Sequence, residues 1–189
     1  VKVWDGTTLR LRRKEDSDIF YMSMGEISPD GRTMFAPLGE HGYSLYSRKG
    51  DSLSVYLTGQ VELMRYSPDG KRLMYSTVRE DERSILILDI SRRALRKGLI
   101  AFTSVGLGEE FPYRIGDASF SPDGKTLIVA DSEGNVSLFN AISGSLLETY
   151  HTGEGFLSAV GFSGNGSSFY AYDRISGNLH LWGPVVLVW

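Results

Sequence analysis

The tetrapeptide Ser-Pro-Asp-Gly stands at 28–31, 67–70 and 121–124, and a degenerate copy, Ser163-Gly164-Asn165-Gly166, follows. A motif recurring at this spacing constrains the fold more than any other feature of the chain. Proline presets φ at the first central position of a type I turn, and glycine takes the left-handed conformation that follows. Each copy therefore predicts a tight hairpin with a bulge. The flanks agree. The residue before each serine is Ile27, Tyr66, Phe120 or Phe162, and Met34, Leu73, Leu127 and Phe169 come six places after it. Ala36, Tyr75, Val129 and Ala171 come two places further on, a period-2 alternation that predicts a second strand with one buried face.

A second family of strands follows each turn. It reads Tyr43-Ser44-Leu45-Tyr46-Ser47, Ile85-Leu86-Ile87-Leu88-Asp89, Val136-Ser137-Leu138-Phe139-Asn140 and Leu179-His180-Leu181-Trp182-Gly183, with Val1-Lys2-Val3-Trp4-Asp5 ahead of them all. The fourth places, Trp4, Tyr46, Leu88, Phe139 and Trp182, are separated by 42, 42, 51 and 43 residues. Leu11, Leu53, Leu95 and Leu146 fall at one further recurring place, which predicts an outer strand. A four-stranded antiparallel unit repeating every ~40–45 residues is a propeller blade. Blades bury their faces only by stacking on one another. The expected fold is all-β: a β-propeller of about four blades of four-stranded antiparallel sheets, part of a larger propeller, the alternative being a compact four-bladed ring that discards or repurposes residues 1–18.

The chain divides, as one domain, into a half blade (1–18), three blades (19–58, 59–113, 114–152) and an incomplete blade (153–189). Both ends read as cut from something longer. One insertion departs from the repeat. Leu95 to Ser121 spans 26 residues against 17, 14 and 17 in the other units, and the expected place of the extra length is 98–116, after the outer strand.

Here the chain resembles the WD-repeat proteins. Trp4-Asp5 matches that family's closing dipeptide, and Trp182 holds the tryptophan place without the aspartate. The resemblance covers essentially the whole chain and implies protein or peptide partners. Asp131 and Asp173 suit the family's turn aspartate, but its Gly-His pair is missing, and Gly153-Glu154-Gly155 stands at that point of the last unit. Apolar stacking must then hold these blades.

Composition excludes several classes. There is no cysteine, hence no disulfide framework, thiol catalysis or thiolate metal site. A net charge of −3 argues against duplex DNA, so no nucleic-acid partner is expected. No run of about 18 apolar residues exists, and no membrane association is expected. The compartment is not fixed by these residues; a cytoplasmic one is favoured.

No chemical motif emerges. His41, His151 and His180 lie in different blades without metal-ligand spacing. Asp131-Ser132-Glu133-Gly134-Asn135 lacks the distal bidentate glutamate of a calcium loop and reads as a hairpin. Gly106-Leu107-Gly108 is not followed by the Lys-Ser/Thr of a phosphate loop. The basic runs Arg10, Arg12, Arg13, Lys14 and Arg92, Arg93, Arg96, Lys97 read as solvated outer edges. No catalytic, cofactor or metal residue is assigned.

The function expected is a non-catalytic interaction scaffold that presents loops and a disc face to other proteins or peptides. The alternative is a propeller of the prolyl-peptidase or TolB-like kind, attached to a catalytic part outside this chain. A channel enzyme would need convergent polar residues at the inner-strand starts, where Met22, Glu62, Gly116 and Phe156 share no pattern. The expected partner contacts are Glu109, Glu110, Phe111, Tyr113 and Arg114, because aromatics and arginine dominate interface hot spots; the competing reading has Phe111 and Tyr113 fold back as the start of the next inner strand and pack in the core.

Overall fold

The computed structural model describes residues 2–4, 11–14, 25–38, 42–47, 52–55, 60–79, 82–91, 102–105, 114–153 and 155–184. Strands β1 (Lys2–Trp4) and β2 (Leu11–Lys14) form an antiparallel pair. The first four-stranded sheet holds β3 (Glu26–Ile27), β4 (Thr33–Leu38), β5 (Gly42–Ser47) and β6 (Ser52–Val55). The second holds β7 (Gln60–Tyr66), β8 (Arg72–Arg79), β9 (Glu82–Asp89) and β10 (Phe102–Val105). The third holds β11 (Ile115–Phe120), β12 (Thr126–Asp131), β13 (Asn135–Asn140) and β14 (Leu146–His151). The fourth has three strands, β15 (Leu157–Phe162), β16 (Phe169–Asp173) and β17 (Leu179–Trp182). All are antiparallel meanders, and no helix occurs among the described residues.

The four repeated turns share one geometry. Gly31, Gly70, Gly124 and Gly166 have φ between 65° and 73°, a region that only glycine enters freely. The serine hydroxyl donates to the acidic side chain two residues on and accepts the N–H five residues on. For Ser67 these distances are 2.7 Å to Asp69 and 2.9 Å from Arg72. In the degenerate copy Asn165 replaces the aspartate, and Ser163 donates to it at 2.8 Å. Each turn also seats on its predecessor. A Cβ on Gly70, Gly124 or Gly166 would lie 3.7, 3.8 or 3.4 Å from the ring of Pro29, Pro68 or Pro122.

Period-2 alternation gives every sheet two apolar faces, and three clusters bury them pairwise. Phe35 and Leu45 of the first sheet pack with Val61, Met64, Tyr66, Leu73 and Tyr75 of the second. Met74, Ile85 and Ile87 pack with Ile115, Ala118, Phe120, Leu127 and Val129 of the third. Ile128, Ala130 and Val136 pack with Leu157, Val160 and Ala171 of the fourth. The third and fourth sheets approach so closely that a Cβ on Gly116 would stand 1.7 Å from the Leu157 carbonyl oxygen. Polar links add to this stacking. Arg72 donates to the carbonyls of Gly124 (2.6 Å) and Ala141 (3.1 Å), and its guanidinium lies 5.7 Å from the Phe120 ring centroid.

The residues flanking the turns differ in burial according to their neighbours. Tyr66 and Phe120 are buried and Phe162 is half-buried. Ile27 is 64% exposed, because no described strand lies over it.

One expectation needs correction. The outer strand of the second sheet is β10, not a strand at Leu95, and Leu95 itself lies outside the described residues. Phe102 pairs with Leu88 and Val105 with Ile85, and the buried Val105 joins the cluster under the third sheet. Cross-strand pairing and that burial set the register, and spacing counted from Asp89 does not. The extra length is thus divided by β10 into two connections, 90–101 and 106–114. Phe102, where the first ends, and Val105, where the second begins, stand at opposite ends of β10.

Candidate functional site

Antiparallel order sends the repeated turns and the third-to-fourth-strand connections to one end of every sheet. The second-to-third-strand turns and the connections to the next sheet go to the other. The second of these ends is built from tightly tied turns. Asp131 accepts the N–H groups of Glu133 (2.8 Å) and Asn135 (2.9 Å) on one oxygen and the Asn135 amide (2.8 Å) on the other. These bonds tie the hairpin between β12 and β13. Asp173 plays the same part, accepting the N–H of Ile175 at 2.7 Å; that bond is the first cause of its carboxyl lying below the ordinary value.

Side chains displayed on this frame include polar and cationic groups beside the exposed Ile175. Exposed His151 sets Nδ1 2.6 Å from the Asn135 amide oxygen. That oxygen can only accept, so Nδ1 carries a proton. Arg174 lies over Phe156, 5.8 Å from its centroid, while the Arg174 N–H reaches the Phe156 carbonyl at 3.3 Å. This pair joins the connection 152–156 to the β16–β17 turn. Sequence reasoning placed Phe156 at an inner-strand start and missed its partner, since the two are brought together only by the pairing of β15 with β16.

Arg114 ends the connection that begins after β10. Its backbone is clamped to the neighbouring turn: its N–H reaches the Ser132 hydroxyl at 3.2 Å, and its carbonyl accepts the Ser132 N–H at 2.9 Å. Its side chain is exposed. Glu109, Glu110, Phe111 and Tyr113 lie outside the described residues. Of the histidines, His151 and His180 sit on different strands in different sheets, and His41 lies outside the described residues. No cluster of three metal-binding side chains occurs among the described residues.

A second polar line runs along the inner strands. Glu26 accepts the N–H of Tyr66, Arg65 pairs with Asp117 at 3.2 Å, and Asp117 accepts the Val160 N–H at 3.1 Å. Burial pushes the Glu26 carboxyl up, against the opposing pull of Arg65. Each link crosses from one sheet to the next, so this line braces the stack.

The meanders, their stacked faces and the repeated turns agree with what the comparisons found. The family model of the anaphase-promoting complex subunit 4 WD40 domain matches residues 108–165, which span the third sheet. The chain has the β-propeller fold, and over that segment it is similar to the WD40 domain family. The β-propeller domain of Cps50 (Swd1) from Myceliophteria thermophila aligns over 90% of the chain with a TM-score of 0.71 and 12% identity. A hydrazine synthase from Kuenenia stuttgartiensis aligns over 98% with a TM-score of 0.70 and 18% identity. At such identities the likeness is one of fold. The chain spans 54% of the first structure's length and 65% of the second's, so its four sheets form a partial propeller. The comparison with curated proteins found no match. The sheets described above are its blades.

Proposed function

We propose that this propeller is a non-catalytic interaction scaffold, and that it contacts protein or peptide partners through the end that carries the connection 106–114. The observation that supports this is the treatment of Arg114. Its backbone is fixed on both sides to Ser132 while its guanidinium is left in solvent. A rigid base under an exposed arginine is the arrangement that limits the ordering cost of binding. Phe111 and Tyr113 precede it directly, with Glu109 and Glu110 one step further, and aromatics beside arginine supply both contact area and polar anchoring. The connection is longer than its counterparts at 56–59 and 152–156, a length the blade itself does not need.

The test compares capture of native partners by the protein and by two variants. Phe111→Ala with Tyr113→Ala, and separately Arg114→Glu, should keep the thermal midpoint and lose capture. Arg32→Glu on the opposite end should leave capture intact. Equal capture by all of them moves the binding surface away from this connection. A collapse of stability in the double variant would place the two rings in the core instead.

A further inference from the structure

We infer that Asn165 is a site of spontaneous covalent modification, at which the fourth turn converts its own asparagine to an acid whenever the turn opens. The fourth tetrapeptide departs from its sisters at the proline place, which holds Gly164, and at the acid place, which holds Asn165. The cation that follows the motif as Arg32, Lys71 and Lys125 is replaced there by Ser167. Each of these changes bears on one reaction.

The change from acid to amide supplies the reactive pair. A side-chain amide is open to attack by the backbone nitrogen of the next residue, and glycine alone brings no Cβ to shield that nitrogen. Asn165-Gly166 is the only Asn-Gly step in the chain. The other asparagines, Asn135, Asn140 and Asn178, precede Val136, Ala141 and Leu179, and the Asn135 amide also donates to Asp131 at 2.8 Å. Asn165 and Gly166 are both exposed. The Asn165 amide oxygen accepts the Ser163 hydroxyl (2.8 Å), the Ser167 N–H (3.0 Å) and the Ser167 hydroxyl (2.8 Å). Donors on that oxygen draw charge from the carbonyl carbon and stabilise an oxyanion formed by attack on it.

Water is the only co-reactant. The Gly166 nitrogen bonds to the side-chain carbonyl carbon of Asn165, and its proton passes through solvent to the amide nitrogen. The bond from that carbon to the amide nitrogen breaks, and ammonia leaves. The cyclic imide so formed takes up one water and opens to aspartate or to its β-linked isomer.

The change from proline to glycine sets the gate. The Gly166 N–H is held by the Ser163 carbonyl at 2.8 Å, so its nitrogen attacks only after that bond breaks. In the sister turns Pro29, Pro68 and Pro122 fix φ, and each lies against the glycine of the next turn. Gly164 fixes nothing, and no atom lies within 4 Å of a Cβ there, so the fourth turn opens more readily than the others.

The loss of the cation sets the outcome. Aspartate is the residue that the three sister turns already hold, so it suits the turn. Asp30, Asp69 and Asp123 each have a cation 3.7, 3.7 or 3.9 Å away, and Ser167 offers none. Conversion therefore changes a neutral turn into the one of the four whose acid is not neutralised by its own turn.

The experiment incubates the protein in mildly alkaline buffer and follows each asparagine by fragment-ion mass spectrometry, with released ammonia assayed alongside. Asn165 should convert in step with the ammonia while Asn135, Asn140 and Asn178 stay amides. Gly164→Pro gives the turn its sisters' proline and should slow conversion about two- to fivefold. Denaturing urea should speed it, because the Gly166 N–H is then free. Conversion of the other asparagines at the same rate, a rate in urea no higher than in the native protein, or an unchanged rate in Gly164→Pro overturns the proposal.

Discussion

Ile27, Tyr66, Phe120 and Phe162 hold one position in four blades, and this equivalence supports a quantitative test of blade stacking. The perturbation is truncation to alanine at Phe120 and, in parallel, at Ile27. Phe120 is 6% exposed and packed among Met74, Ile85, Ile87 and Leu127, with Arg72 above it. Removing a buried phenylalanine ring costs about 3–5 kcal/mol. Ile27 is 64% exposed, and truncating an exposed residue stays within about 0.5 kcal/mol. One motif position should thus give two costs that differ by about 2.5 kcal/mol or more, decided only by the neighbouring blade. Urea unfolding with a shared m-value measures both, since a midpoint shift at constant slope reports stability alone. In a chain of this length, where each kcal/mol moves the midpoint by about 2–4 °C, the Phe120 variant should melt roughly 6–20 °C lower. A Phe120→Ala cost below about 1 kcal/mol would refute the assignment of that ring to an interface. Equal costs at both sites would show that Ile27 is covered as well.

Other perturbations read other links. Asp131→Ala orphans the N–H groups of Glu133 and Asn135 and should cost about 2–3 kcal/mol by urea unfolding, whereas Asp131→Asn should recover most of it. Gly116→Ala forces a Cβ into the Leu157 carbonyl and should cost about 3 kcal/mol or more, with increased hydrogen exchange at β11 and β15; a silent substitution would contradict the close approach. Acid titration tests the turns. The Arg32 N–H and the Ser28 hydroxyl lower the Asp30 carboxyl, and Lys125 and Ser121 do the same at Asp123. The unfolded chain therefore holds these protons more tightly, so their contribution is complete above about pH 4 and is lost as pH falls below it. Asp30→Asn with Asp123→Asn should flatten the dependence of the melting midpoint on pH in that acid range, and an unchanged slope would rule out the turns as its source.

Much of this architecture was legible because the signals are local. Ser-Pro-Asp-Gly fixes its own turn chemistry, and β12 and β13 announce their faces by alternation. The third strands were readable at 43–47, 85–89, 136–140 and 179–183 for the same reason. Legibility failed where partners from distant sequence decide. Leu95 matched a spacing rule, but the outer strand of its blade is set by pairing with β9 and by the burial of Val105. The exposure of Ile27 could not be read from a motif shared with buried Phe120. Arg174 and Phe156 meet only after β15 and β16 pair. Arg114 was singled out for its type; its clamp to Ser132 depends on a turn eighteen residues away.

The seating of each turn glycine on the preceding proline ring gives the repeats a direction. Gly70 on Pro29, Gly124 on Pro68 and Gly166 on Pro122 form a row like shingles, each overlapping only the one before it. The fourth tetrapeptide keeps every feature that faces backward: its left-handed glycine, its serine and its side-chain acceptor. What it lacks is the proline, replaced by Gly164, and no atom lies within 4 Å of a Cβ there. The departure from the motif thus leaves the turn intact and puts a bare glycine where the other turns offer a proline ring as a ledge. Gly164→Pro should restore the ledge without disturbing the row behind it.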